Sequence, residues 1–468
     1  MGYLGNRPAE SYASFEKQVF TIVNSQTAYT LDHSVVNEND IRLVVNNVVQ
    51  EPGSGKAYTA SGTSLTLSAA LVNGTDTMYA VFLGKAVQTI NPPAASVGTS
   101  QLASEAVTPA KLGYDYNQYR NLVINGDMQI AQRATSTASV SSNGYHTIDR
   151  WQTNCTAGGT WTQSQDTTVP SGQGFSTSLK MDCTTADGSL AAGDRLIIQQ
   201  AIEGQNLQHL KKGTSSAESL TVSFWVYATK TGTNICELYD ADNTRQISQS
   251  YTISSSDTWE KKTITFAGDT TGVFGNDNGA SLYLNFYLCA GSTYSGGTLN
   301  TSWASNTNAN RAVGQVNHAD STSNNFYITG IQMEVGTSAS DFEFLPYDVN
   351  IQRCYRYCLV LGDAPGGATY DYADNGVIGH YYNTTDFYPN FFFPVPMRST
   401  PGVSFSTTGS SLGDVSSQNT SKSGTSAGTN ATSSTNINFR VSTATATQGS
   451  GGAFNFAASD YVILSAEL

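Results

Sequence analysis

Two segments of this chain alternate apolar and polar positions so strictly that only a β-strand can bury one side of them. Leu220-Thr221-Val222-Ser223-Phe224-Trp225-Val226-Tyr227 places Leu220, Val222, Phe224 and Val226 on one face. Leu282-Tyr283-Leu284-Asn285-Phe286-Tyr287-Leu288 does the same with Leu282, Leu284, Phe286 and Leu288. Shorter runs of the same kind are Leu179-Lys180-Met181-Asp182-Cys183, Thr263-Ile264-Thr265-Phe266 and Phe326-Tyr327-Ile328. The loops between them are rich in Gly, Ser and Asn. Residues 120–346 therefore read as a two-sheet β-sandwich or jelly roll. No repeat of about 20 to 25 residues runs through the chain, which argues against a long solenoid or β-helix.

Composition narrows the function classes. Ser, Thr and Asn make up 145 of the 468 residues, whereas only 13% are charged, so solubility rests on hydroxyls and amides. The net charge is -13, and no Lys/Arg cluster is present to displace counterions from a nucleic acid. No stretch approaches the roughly 18 consecutive apolar residues of a membrane helix. The start, Met1-Gly2-Tyr3-Leu4-Gly5-Asn6, carries no apolar export segment and no myristoylation signal. The six Cys include no C-x-x-C pair, and Cys155, Cys183, Cys236 and Cys289 sit in strand-like runs. They read as small buried hydrophobes in a reducing compartment.

The remaining chain divides by pattern. Residues 1–91 read as a small all-β module. In it, Val44-Val45-Asn46-Asn47-Val48-Val49 is expected to form a hairpin, because Asn tolerates the positive φ of a type I′ turn; Asn73-Gly74 signals a second turn. Pro92-Pro93 ends the module. In 92–119, Val97, Leu102, Val107 and Leu112 recur every five residues, a spacing that suits neither an amphipathic helix nor a strand. This neck reads either as a flexible linker or as a self-associating segment that packs against its own copies. Residues 347–468 form the last region. Ile351, Cys354, Tyr355 and Cys358 predict one helix over 349–358. Residues 404–436 are almost all Ser, Thr, Gly and Asn and read as disorder or long loops, and Asp460–Leu468 as a final strand.

Signals for catalysis are weak. The five His are scattered without a second metal-ligand partner, so each reads as structural or solvated. Asp341 and Glu343 flank Phe342 and would share one strand face, as a glycosidase pair could, yet a solvated edge explains them more simply. Asp240-Ala241-Asp242-Asn243 resembles a fragment of a calcium loop without its Gly and distal Glu, so calcium is only weakly supported and no other cofactor is expected. Aromatics are the better lead, since Tyr and Trp stack on the apolar face of a sugar while amides bond its hydroxyls. Tyr294 and Trp303 lie in the polar stretch 290–325, and Tyr370, Tyr372, Tyr381, Tyr382 and Tyr388 crowd the C-terminal region. These seven are the candidate receptor-binding residues; the competing reading packs them in the interior or in a subunit interface.

Several segments together resemble a known family. Val44-Val45-Asn46-Asn47-Val48-Val49-Gln50-Glu51-Pro52 followed by Tyr58-Thr59-Ala60-Ser61-Gly62-Thr63-Ser64-Leu65-Thr66-Leu67 is similar to a module of bacteriophage tail fibres. Arg120–Met128 and Tyr327–Gly336 resemble the first and last strands of a jelly-roll fibre domain. Arg353–Tyr357 and Phe393–Pro401 resemble the segments C-terminal to that domain. The resemblance implies an all-β protein of tandem domains, assembled as an elongated homotrimer in the host bacterial cytoplasm and mounted in the virion tail. It implies docking on tail adaptor or nozzle-type proteins through the N-terminal part, and binding of a host-surface polysaccharide or protein receptor through the distal part. It carries over no catalytic residue. The alternatives are a tailspike-like polysaccharide depolymerase and a purely structural tail or decoration protein.

Overall fold

The computed structural model describes residues 15–83, 119–362, 376–406, 412–417 and 420–468. The chain forms two compact units, Met1–Thr108 and Pro109–Leu468. Both are built of β-structure, as the alternating patterns require. The neck, apart from Tyr119, lies outside the described residues, as do Tyr370 and Tyr372.

In the first unit, β1 (Lys17–Phe20), β6 (Met78–Phe82), β3 (Ile41–Val45) and β4 (Val48–Val49) form a four-stranded sheet, in that order. Strands β2 (Ala28–Val35) and β5 (Tyr58–Leu67) pair separately. Asn46 and Asn47 have φ of 50° and 65°, and Val45 pairs with Val48, so the expected type I′ hairpin forms. The Tyr58 hydroxyl, inside the core, donates to the Ile41 carbonyl at 2.9 Å and so links the β2–β5 ribbon to the four-stranded sheet.

The second unit begins with a sandwich of two six-stranded sheets. The first runs β15 (Glu260–Phe266), β12 (Leu220–Ala228), β18 (Asn325–Val335), β10 (Ser178–Thr185), β9 (Thr160–Asp166) and β7 (Ser136–Val140). The second runs β17 (Ala304–Ser305), β14 (Arg245–Ile253), β13 (Gly232–Asp240), β16 (Ala280–Ala290), β11 (Arg195–Glu203) and β8 (Gln152–Thr156). Leu220, Val222, Phe224 and Val226 meet Leu282, Leu284, Phe286 and Leu288 in one core, where Phe224 lies edge-on to Phe286 at 4.9 Å. The expected first strand over 120–128 is instead an irregular segment stitched to β18. The Asn121 side chain bonds the β18 backbone at Ile331 and Met333, and a Cβ on Gly126 would stand 2.0 Å from the Ile331 carbonyl oxygen. Backbone bonds from Leu122 to Met333 and from Ile331 to Gly126 also join the two, and the Asn121 bonds and the Gly126 approach take the place of a regular ladder.

Beyond the sandwich, the short α1 (Ser292–Ser295) lies in the 290–325 loop, and α2 spans Tyr347–Tyr355. Helix α2 stops before Cys358, contrary to the periodicity, because Cys358 opens β19 (Cys358–Gly362) and pairs with Ser465 of β27 (Tyr461–Ser465). Strand pairing overrides the helical spacing. β22 (Gly402–Phe405) completes this three-stranded sheet. The rest closes into a six-stranded barrel: β20 (Val377–Tyr381), β21 (Asp386–Phe392), β25 (Asn436–Thr443), β24 (Thr420–Thr432), β23 (Gly413–Ser417) and β26 (Gly451–Phe456). The Ser/Thr/Gly-rich stretch expected to be loops or disorder thus supplies two barrel strands. Val415 is its apolar anchor inside, while Phe439, Phe454 and Phe456 from neighbouring strands fill the lumen. Closure leaves no unpaired edge, so small polar residues suffice on the outside.

The β19–β27–β22 sheet and the sandwich meet through buried charge. Glu467 lies between Arg133, at 3.2 Å, and Arg150, with all three side chains less than a tenth exposed. Asp149 and the Gln132 side chain extend this cluster, and Gln132 also donates to the Cys358 carbonyl. Burial pushes the Asp149 carboxyl up to about 6 despite the nearby Arg133. Alongside, Arg356 grips Glu203 through two 2.7 Å bonds, and the Tyr357 hydroxyl donates to the same carboxylate.

The sandwich also buries His318, whose ring bonds the Asn234 side-chain oxygen at 2.7 Å while Nδ1 has no partner among the described residues. Burial first, and the Lys230 ammonium second, hold its pKa down to about 3. The unfolded chain takes up this proton near pH 6.5 and the folded chain only near 3. The stability His318 permits is therefore complete above pH 6.5 and falls below it by about 1.4 kcal/mol per pH unit. His318→Gln keeps a donor for Asn234 but does not titrate. Between pH 7 and pH 5 the gap in unfolding free energy between wild type and His318→Gln should narrow by about 2 kcal/mol. Denaturant titrations at the two pH values check this, and a constant gap would contradict it.

Candidate functional site

The two faces of the second sandwich sheet differ in chemistry. Its inner face is the leucine and phenylalanine core. Its outer face carries a polar row that crosses five strands in register: Gln152 on β8, Gln199 on β11, Asn285 on β16, Glu237 on β13 and Ser248 on β14. The adjacent row holds Ala201, Tyr283, Tyr239 and Gln246. Tyr239 and Tyr283 are half-buried neighbours with ring centroids 6.2 Å apart. The small Ala201 side chain beside Tyr283 leaves that ring uncrowded on the β11 side.

A loop pins one half of this face. After β16 the chain passes through α1, pairs as β17 with β14, and crosses back over β13. There Arg311 donates from Nε and Nη2, one edge of its guanidinium, to the two Glu237 carboxylate oxygens at 2.7 and 2.8 Å, with its cationic carbon 4.9 Å from the Tyr239 ring. Asn285 and Tyr287 also donate to Glu237, at 2.8 and 3.2 Å. Burial, followed by the Glu237 charge, holds the Tyr287 phenol far above its ordinary pKa, so it stays a donor. This side of the face is neutralised and rigid.

The other half is half-exposed. Gln199 donates to Gln152, and Asn154 donates to Gln199 at 3.1 Å. The side-chain oxygens of Asn154 and Asn285 have no hydrogen-bond partner among the described residues. Buried acceptors are rarely left unpaired, and ordered water is the donor that two such enclosed oxygens call for. Two half-buried tyrosine rings on a sheet face rich in amide side chains can stack on the apolar side of a pyranose. Among the described residues no group of three or more His, Cys, Asp and Glu stands ready to hold a metal.

The residues singled out from sequence are placed differently. Tyr294 does lie against this face, but its hydroxyl accepts from Arg195 at 2.6 Å and its ring packs on Ile197 and Tyr287, so it anchors the loop. Trp303 packs on the main core and donates to the Ala267 carbonyl at 2.7 Å, also as an anchor. Tyr381 is fully buried inside the barrel against Phe387 and Thr443 and cannot meet a receptor; alternation along β20 sends it inward. Tyr382 and Tyr388 come together on the barrel exterior, 5.4 Å apart, and Ile378 and Phe392 are exposed further along β20 and β21. The suspected carboxylate pair is structural on the Glu343 side: this carboxylate accepts the Tyr119 and Asn121 backbone N–H groups. In the suspected calcium loop, Asp240 pairs with Lys212 at 2.6 Å and Asp242 accepts the Gly275 N–H.

Tyr239, Tyr283, Gln152, Asn154, Gln199 and Asn285 escaped the sequence reading. The signal was present in part, because the run that fixes Leu282, Leu284, Phe286 and Leu288 inside also fixes Tyr283, Asn285 and Tyr287 outside.

No family model matches the chain. No curated protein matches it either. Among solved structures it is similar to the enzymatically active domain of tailspike protein 4 from bacteriophage CBA120, with 15% identity, TM-score 0.25 and 46% of this chain covered. The match spans 22% of that chain's length. A family 61 carbohydrate-binding module in complex with β-1,4-galactotriose matches at 10% identity and TM-score 0.24, over 46% of this chain and 99% of the module. The family 11 carbohydrate-binding module of a Clostridium thermocellum cellulase matches at 12% identity and TM-score 0.21, over 43% of this chain and 99% of the module. At such scores none of these likenesses bears on what this chain binds or does.

Proposed function

We propose that this chain is a phage tail-fibre protein that mounts on the tail through its first unit and binds a host-surface glycan, without cleaving it, on the outer face of the second sandwich sheet. The observation that carries the reading is the pair of neighbouring, half-buried tyrosine rings on a polar sheet face held in place by the Arg311–Glu237 pair. The resemblance of the N-terminal module to tail-fibre modules supplies the tail. Individual sugar contacts are weak, and three linked copies would raise avidity by roughly 10² to 10⁴. A homotrimer therefore belongs to the proposal, and a native mass of one chain would remove it. The test of function is retardation in gels containing polysaccharide extracted from host cells, with reducing ends assayed in parallel. Retardation without new reducing ends is expected. Reducing ends rising with time would instead make the protein a depolymerase.

A further inference from the structure

A second site lies where the sandwich meets α2. A cavity of about 460 Å³ opens there, lined by Arg150, Arg353, Arg356, Tyr357, Gln200 and His209 among others. That volume falls in the range of sites for small organic ligands. Its charges do not balance. Arg356 is matched by Glu203, and Arg150 by Glu467. Among the described residues Arg353 forms no ion pair; its one hydrogen bond goes to the Asn121 carbonyl at 3.2 Å. Burial lowers the Arg353 pKa, and the Cys354 thiol, the Glu343 carboxylate and the Tyr357 and Tyr119 phenols only partly offset it. Arg150, 1% exposed, also keeps its Nε without a partner among the described residues. In a chain of net charge -13, a half-buried guanidinium that faces a cavity without an ion pair favours an anionic ligand there.

We propose that this cavity binds a pyranose bearing one carboxylate, such as a hexuronic acid residue of an acidic glycan, with the carboxylate on Arg353. One surplus guanidinium suits a singly charged group, and its planar fork matches a carboxylate. The body of the ligand is organic because Leu122, Ile124 and Ile202 line the same wall, and the Tyr119 ring is 57% exposed. The proposal takes the sugar from the glycan-binding reading, whereas the charge comes from this cavity alone.

Equilibrium dialysis of the full chain against glucuronate, glucose and inorganic sulfate tests it. Glucuronate should bind saturably, glucose should not, and sulfate should bind at least tenfold more weakly than glucuronate. Arg353→Gln should weaken glucuronate about 10- to 100-fold, and Arg353→Lys less. Arg353→Gln should melt within a few degrees of wild type, since it breaks no ion pair among the described residues. Undiminished glucuronate binding in Arg353→Gln, equal binding of glucose, or sulfate binding as tight as glucuronate would each overturn the proposal. So would a melting point more than about 10 °C lower, which would make Arg353 a structural brace. Failure here leaves the tyrosine face untouched, because neutral glycans test that face separately.

Discussion

Glu467→Ala should destabilise the second unit by about 3–5 kcal/mol, the largest single effect expected in this chain. Glu467 is the only acid that touches both Arg133 and Arg150 among the ion pairs of the described residues, and the guanidiniums are 8% and 1% exposed. Removing it leaves two buried cations. Arg133 keeps Asp149 at 3.7 Å, the Ser465 hydroxyl at 3.5 Å and the Tyr145 ring, and Arg150 keeps the Ala201 carbonyl and the Tyr357 ring. Neither arrangement replaces a shared carboxylate. A cost of that size lowers the melting temperature by roughly 4–7 °C in a unit this large. Glu467→Gln, which retains an acceptor, should lose less. Differential scanning calorimetry on both variants checks this. A cost below about 1 kcal/mol for Glu467→Ala would mean that water already solvates the cluster, as at a surface ion pair.

Arg311→Met should cost a similar amount, about 3–5 kcal/mol, for the mirror-image reason. Glu237 is fully buried, and Arg311 is its only cationic partner in the described structure. Without it, a carboxylate remains with two neutral donors, Asn285 and Tyr287. The same change releases the loop that carries Tyr294 and β17 over the sheet. Glu237→Gln combined with Arg311→Met should recover most of the loss, because a buried pair replaced as a pair no longer leaves a lone charge. Urea titrations of the two singles and the double give the coupling energy, expected above about 2 kcal/mol. Additive losses would show that the pair does not act as a unit.

Both predictions rest on partners distant in sequence, and this marks where the sequence was legible. Alternation identified the inner faces of β12 and β16, and two adjacent Asn identified the β3–β4 turn, because these follow from two-residue periodicity and local φ preferences. The polar row was not legible as a row. Gln152, Gln199, Asn285, Glu237 and Ser248 come from five strands, and only register brings them together. Tyr381 and Tyr382 look equivalent as a pair of adjacent rings, yet neighbours along a strand face opposite ways, so only Tyr382 reaches solvent. The barrel strands at 413–432 escaped because Ser, Thr and Gly carry little apolar signal, and ring closure rather than a buried stripe holds them in place. Cys358 fitted the helical face of α2 by spacing, yet pairing with β27 claimed it.

The central claim is that the tyrosine face of the sandwich is the glycan-binding surface. The most direct measurement is gel retardation in extracted host polysaccharide for two paired variants, Tyr239→Ala/Tyr283→Ala on the sandwich and Tyr382→Ala/Tyr388→Ala on the barrel. Removal of two stacking rings is worth about 1–2 kcal/mol or more per site and is multiplied across linked copies. The sandwich variant, with unchanged circular dichroism, should therefore migrate as it does without polysaccharide, while the barrel variant stays retarded. Retardation that survives in the sandwich variant and disappears in the barrel variant would contradict the account and move the receptor site to the barrel exterior.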